Sequence, residues 1–244
     1  MAINVEIEKS LKMLQGHSAF AVYPPPFLLA VSGGPDSQCL LKAFPHVASK
    51  FGYKCIAVGI NHGMRAEAEA ELDLAEELAG KMKVPFFRAN VKLTSHSNVQ
   101  CEARVLRYGQ LYTLADEHKC GFVVTAHHFD DRAETVLIRL LRGHGVGSLA
   151  VMPPIAGRVY RPMMSIKRSE IIRHLNRWHV KFAHDPSNDN TKYLRVKIRK
   201  EILPLMEAIN PQIKQRLNDL SDELLDHRSI LSYARRFKQA VDNQ

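Results

Sequence analysis

Long apolar runs are missing from this 244-residue chain. The longest, Phe27 to Ser32 and Gly121 to Ala126, stop far short of the ~20 residues a membrane-spanning helix requires. The opening MAINVEIEKS has no cationic-then-apolar export pattern, so a cytoplasmic protein with no membrane partner is expected. Cysteine is scarce and scattered: Cys39, Cys55, Cys101 and Cys120 contain no C-x-x-C pair. That speaks against a zinc ribbon, an iron–sulfur site and a disulfide framework, and leaves reduced, mostly buried thiols as the expectation. Internal repeats and low-complexity segments are absent. With 45% hydrophobic and 24% charged residues the chain is neither disordered nor fibrous. It has the length for one large α/β domain, or for a main domain with an appendage.

One segment also lacks acid. The formal charge is +9, but residues 1–157 carry 16 basic and 15 acidic side chains, almost balanced. Residues 158–200 hold 12 basic residues against Glu170, Asp185 and Asp189, whereas 201–244 holds six basic and seven acidic. The whole surplus lies in one stretch. Such a block is either a solvated basic face or the footprint of a phosphate backbone, and charge alone does not choose between them.

Apolar runs followed by helical patterns recur along the chain and argue for βα units on a parallel sheet. Strands are expected at 27–32, 55–60, 85–90 and 121–126. Helices are expected at 4–16, 36–51, 67–83, 99–118 and 130–142. This is a Rossmann-like α/β sheet with helices on both faces and its ligand edge at the carboxyl ends of the strands. RGHGVGSLAVMPP, from Arg142, reads as a long loop. Helices resume at 167–178, 191–206 and 210–240, the last after Asn210 and Pro211. The catalytic domain is expected to span 1–205, with 206–244 a helical extension or linker.

The sharpest local signal is LLAVSGGPDS, residues 28–37. Gly33 and Gly34 are expected to let the backbone turn through unusual dihedrals and approach a ligand closely. Pro35 suits a first helical turn, whose N–H groups favour an anion. No G-K-S/T follows, so this is not a Walker A loop, and it is not G-x-G-x-x-G. The plain alternative is an ordinary strand-to-helix turn. A second cluster, TAHHFDDRAET (125–135), falls at a strand end and runs into the next helix. There Asp131 and Glu134, at i and i+3, share a face and make an anionic pocket for an ammonium group. Helix-dipole acids and structural imidazoles are the plain alternative. The pair His127 and His128 has no cysteine near it, which argues against zinc.

The S-G-G-x-D-S run resembles the signature of the PP-loop family, the N-type ATP pyrophosphatases. The resemblance implies that Ser32, Gly33, Gly34, Pro35, Asp36 and Ser37 hold ATP, that the turn grips the departing pyrophosphate, and that Asp36 binds Mg2+. A divalent cation would relieve the repulsion between Asp36 and the phosphates. SGGPDS combines with NHGMR (61–65), EARVLRY (102–108), TAHHFDDRAETVLIRLLRGHG (125–145), Arg161-Pro162 and DPSN (185–188), followed by Tyr193, Arg195 and Arg199. That combination resembles the tRNA(Ile)-lysidine synthetase family, across most of residues 27–200.

The resemblance implies a ligase that adenylates the wobble cytidine of tRNA(Ile), which has a CAU anticodon, and attaches L-lysine at C2. AMP and pyrophosphate are released. It places Asp36, His127, Arg104 and Arg107 in catalysis, the arginines near ATP and the reacting base, and gives the lysine to Asp131 and Glu134. The basic block, with Lys192, Arg195, Lys197 and Arg199, falls where tRNA contacts are expected. Asn61, Val146, Val151 and Val196 depart from the family pattern, which usually has Asp, Arg, Gly and Asn there. Family members normally carry one or two further C-terminal domains, so 244 residues imply a minimal or truncated form. The alternatives are a PP-loop tRNA thiolase, which needs cysteines to relay sulfur, and a catalytically silent RNA-binding module.

Overall fold

The computed structural model describes residues 2–61, 68–91, 99–183 and 191–242. Within NHGMR only Asn61 is described, and DPSN lies outside the described residues. The chain forms two compact units, Met1–His128 with Pro154–Asp185, and Phe129–Pro153 with Pro186–Gln244.

The four apolar runs of the first unit form strands β1 (Phe27–Val31), β2 (Cys55–Asn61), β3 (Phe86–Asn90) and β4 (Phe122–Val124). A short hairpin, β5 (Ile155–Ala156) and β6 (Val159–Tyr160), completes a sheet ordered β3-β2-β1-β4-β6-β5. Every neighbouring pair is parallel except β5 with β6. The hairpin follows the expected loop, between Pro154 and the helix expected at 167–178. Two-residue strands are too short to show any period, and Gly157 supplies the positive φ of its turn.

Helices of this unit are α1 (Ala2–Gln15), α2 (Ser18–Val22), α3 (Pro35–Lys50), α4 (Ala68–Lys81), α5 (Val99–Glu117) and, beyond the hairpin, α7 (Arg168–Arg177). They cover both faces of the sheet, as alternate strand residues show. Phe27, Leu29, Val31, Ala57, Phe122 and Val124 pack in one core with Leu11 of α1, Phe44 of α3 and Ile171 of α7. Leu28, Val58 and Val123 point the other way, onto Leu111 and Ala115 of α5. β2 and β4 lie on opposite sides of β1, so the strand order reverses at the carboxyl ends of β1 and β4, where an open α/β sheet binds its ligand.

The second unit contains α6 (Phe129–Leu141), a 3-10 turn (Val146–Leu149), α8 (Leu194–Lys197), α9 (Leu203–Ile209) and α10 (Ile213–Asp242). Ala133, Val136 and Leu137 of α6 form its core with Val151, Ile198, Leu203 and Leu217. The helix expected at 191–206 runs unbroken as α8, a π-helical segment (Ile198–Ile202) and α9. There the N–H of Leu203 reaches back five residues to Ile198 O. Pro204 has no N–H to donate and favours this shift of register. On α10, Ser221 exchanges hydrogen bonds with the backbone of Val151 at 3.0 and 3.1 Å.

Candidate active site

The glycine turn is held by its serines. Ser32 N–H donates to Ser37 Oγ at 3.0 Å, and the two hydroxyls are 3.1 Å apart. Two carbonyls of the turn lie within reach of the single Ser37 Oγ–H, Ser32 O at 2.5 Å and Gly34 O at 3.0 Å. The N-cap of α3 is Gly34, which brings no side-chain acceptor, and Pro35 follows. An N-terminus without an internal cap is what an exogenous anion requires.

Unusual dihedrals are not what the turn requires; Gly33 alone is required, by close packing. Neither has positive φ; Gly34 sits at φ −71°. A Cβ on Gly33 would lie 2.5 Å from Glu71 O, so the backbone of α4 excludes any side chain there. A Cβ on Gly34 would meet only Ser32 Oγ, at 3.6 Å.

Asp36, in the first turn of α3, lies between His128 and Arg168 of the same unit. His128 Nε2 is 3.5 Å from its Oδ1, and Arg168 Nη1 is 3.4 Å from its Oδ2. His128 is fully buried and bridges to Met163 beyond β6. His127 is half-buried and turns to Thr125, with Nδ1 2.8 Å from Oγ1. The histidine pair therefore divides, one ring to the carboxylate and one held by a threonine. As a Mg2+ site, one carboxylate beside a phosphate nest fits a cation held mainly by phosphate and water. Among the described residues no cluster of three or more His, Cys, Asp or Glu forms a metal cage.

Arg104 and Arg107 gather on α5 around Tyr108, their Cζ atoms 5.0 and 5.8 Å from its ring centroid. Burial draws the Arg107 guanidinium below the ordinary arginine pKa, with the neighbouring Arg104 charge adding to the effect. Arg161, just past β6, is buried, and burial lowers its pKa in the same way while Tyr108 opposes the shift. The described cysteines, Cys39, Cys55 and Cys120, are free. Burial pushes their thiols up to about 12, about 12 and about 11 respectively, which makes them poor sulfur nucleophiles.

In the second unit Asp131 and Glu134 share one face of α6, as their spacing requires. Glu134 is 1% exposed and accepts both arms of a guanidinium fork, Arg199 Nε at 2.6 Å and Nη2 at 3.0 Å. Arg199 also lies 3.7 Å from Asp131, while Arg195 lies 3.7 Å from Glu134 and donates to Thr135 Oγ1 at 2.8 Å. Two of the four residues expected to touch tRNA thus face acids of α6; Lys192 and Lys197 are exposed. Lys214 closes the other end of the face, on Asp130 at 3.0 Å and Glu207 at 3.1 Å.

Sequence reasoning missed Arg168, Tyr108 and Thr125 as site residues. Thr125 stood in view, directly past a strand end. Arg168 was hidden in the basic block, where nothing local marked it as facing Asp36.

Known proteins resemble this chain in sequence and fold. The PP-loop domain family matches residues 3–206. A tRNA(Ile)-lysidine synthase of Petrotoga mobilis is 32% identical over 213 residues, covering 85% of this chain and 68% of that protein. One of Bacteroides thetaiotaomicron is 35% identical over 210 residues, covering 83% of this chain and 48% of that protein, so the chain spans about half the length of this relative. Among solved structures, a U34-tRNA thiolase of Methanococcus maripaludis with its [4Fe-4S] cluster superposes with TM-score 0.76 at 19% identity. That match covers 93% of this chain and 78% of the thiolase, and shows the shared fold. The glycine turn, the histidine pair and the acid-bearing helix described above thus stand in a chain that belongs to the PP-loop family, on the tRNA(Ile)-lysidine synthase branch.

Proposed function

We propose that this chain is an ATP-dependent ligase that adenylates the wobble cytidine of tRNA(Ile) bearing a CAU anticodon, and joins L-lysine to C2 of that base. The observation that carries the reading is the placement of SGGPDS and TAHH at the carboxyl ends of adjacent parallel strands, β1 and β4. Residues 1–205 act as the catalytic domain, and 206–244 as its helical extension.

In the first step the cytosine O2 attacks the α-phosphorus of ATP. The bond to the bridging oxygen breaks, and its electron pair leaves with pyrophosphate. Ser32, Ser37 and the first turn of α3 hold that leaving group, and Asp36 would hold Mg2+, which would supply charge neutralisation when bound. Arg104 and Arg107, with no carboxylate paired to either among the described residues, offer positive charge to ATP and the base. In the second step the lysine ε-amine attacks C2 and AMP leaves. The amine loses a proton, and His127 is the base. In the tautomer that donates Nδ1–H to Thr125 Oγ1, the ring's lone pair is on Nε2, the atom that takes the proton. An α-amino acid carries both charges on one carbon. Asp131 and Glu134 suit its ammonium, and Arg195 and Arg199 beside them suit its carboxylate. Lys192 and Lys197, exposed in the basic block, contact the phosphates of the tRNA.

The test is to incubate the protein with ATP, labelled lysine and total bacterial tRNA. Label entering RNA with release of AMP is expected; AMP release without label in RNA would overturn the reading.

A further inference from the structure

We infer that Arg168 is a pyrophosphate-binding residue of the glycine-turn site, set beside Asp36 by the first turn of α7. The inference rests on the proposed ATP chemistry and adds a side chain that lies in none of the motifs. A phosphate nest with a carboxylate in its first helical turn is short of positive charge, because ATP brings several negative charges to a place that already holds one. Arg168 Nη1 is 3.4 Å from Asp36 Oδ2. The guanidinium is the charge that offsets both, and its planar donors match a phosphate.

The position is fixed from two directions. α7 begins with its own cap, Glu170 accepting from the Lys167 N–H at 2.9 Å, so Arg168 leaves a defined first turn. The chain beyond α7 returns to the turn itself, where the Ala183 N–H donates to Gly33 O at 2.7 Å. A purely structural ion pair explains less. α7 already docks through Ile171 and Leu175, which share a buried core with Leu40 and Phe44 of α3, and a partly exposed pair adds little to stability. The contact is also longer than the 2.6 and 3.0 Å fork of Arg199 on Glu134, as expected of a charge that turns to a phosphate. As the bond to the α-phosphorus breaks, the electron pair passes to the pyrophosphate oxygen. Arg168 meets that charge; no proton moves and no further reactant is needed.

The experiment compares the wild type with Arg168→Met and Arg168→Lys. It measures equilibrium binding of magnesium pyrophosphate and of AMP, the melting temperature, and the KM for lysine. In Arg168→Met, pyrophosphate binding is expected to weaken about 10- to 100-fold, with AMP binding, melting temperature and lysine KM unchanged. Arg168→Lys, which keeps the charge and loses the fork, is expected to recover part of the loss and covers the case in which the methionine variant fails to fold. Equal weakening of AMP and pyrophosphate, or no weakening of either, would overturn the inference and leave the functional reading standing. A wild type that binds neither ATP nor pyrophosphate would overturn both.

Discussion

The glycine turn and the acid–arginine face of α6 are both polar sites in one chain, and they are built in opposite ways. The turn is local: six consecutive residues, Ser32 to Ser37, supply the hydroxyls, the close backbone and the uncapped helix start. The α6 face is assembled over distance, with Asp131 and Glu134 meeting Arg195 and Arg199 some sixty residues later in sequence. A local site is legible in sequence because spacing fixes its geometry. A site made of long-range pairs is not.

The largest expected effect is at the turn. Asp36→Asn is expected to lower adenylation by at least about 10²-fold with the fold intact, since a charge-stabilising contact is removed where charge develops; AMP release measures it. The glycines then sharpen the comparison. Gly33→Ala drives a Cβ into the α4 backbone and is expected to cost roughly 1–3 kcal/mol in a denaturation experiment. Gly34→Ala, with 3.6 Å of room and a φ of −71°, is expected to leave stability nearly unchanged.

The α6 face is expected to respond in stability. Glu134→Gln removes the carboxylate that a buried fork grips, at a cost of about 2 kcal/mol by urea denaturation. The basic block separates the two roles further. Neutralising Lys192 and Lys197 is expected to flatten the salt dependence of tRNA binding by somewhat under ~1 in log–log slope per lost phosphate contact. Neutralising Arg195 and Arg199 is expected to raise the lysine KM, with less change in that slope.

The smallest effect is a pH dependence. Burial, with Lys42 and Arg177 nearby, holds the His174 pKa below the ordinary histidine value. The folded state therefore prefers the neutral ring. Its contribution to stability is complete above about pH 6.5 and is lost as pH falls through the lower folded value. His174→Asn is expected to flatten stability between pH 7 and pH 5 relative to the wild type.

These contrasts also explain what could be read from residues alone. The central strands β1 and β4 show as apolar runs because the sheet is buried there on both faces, as Leu28 and Leu29 demonstrate by packing into opposite cores. The β5–β6 hairpin and the π-helical segment fall below any period. Asp36 was legible from its motif, but spacing alone did not tell His127 from His128, since His127 turns to Thr125 two residues before it while His128 meets Asp36, distant in sequence. Counting charge within 158–200 set Arg195 and Arg199 apart from their acids, because those acids lie on α6, outside the window counted.

The claim at the centre of this account is that activation belongs to the glycine turn and amino acid selection to the α6 face. The direct test is tRNA-dependent exchange of pyrophosphate into ATP, measured beside lysine incorporation in Asp131→Asn and Glu134→Gln at stability-matched temperatures. The account predicts that exchange persists in both variants while the lysine KM rises. Loss of exchange in step with incorporation would contradict it, and would assign the acids to ATP or to the fold.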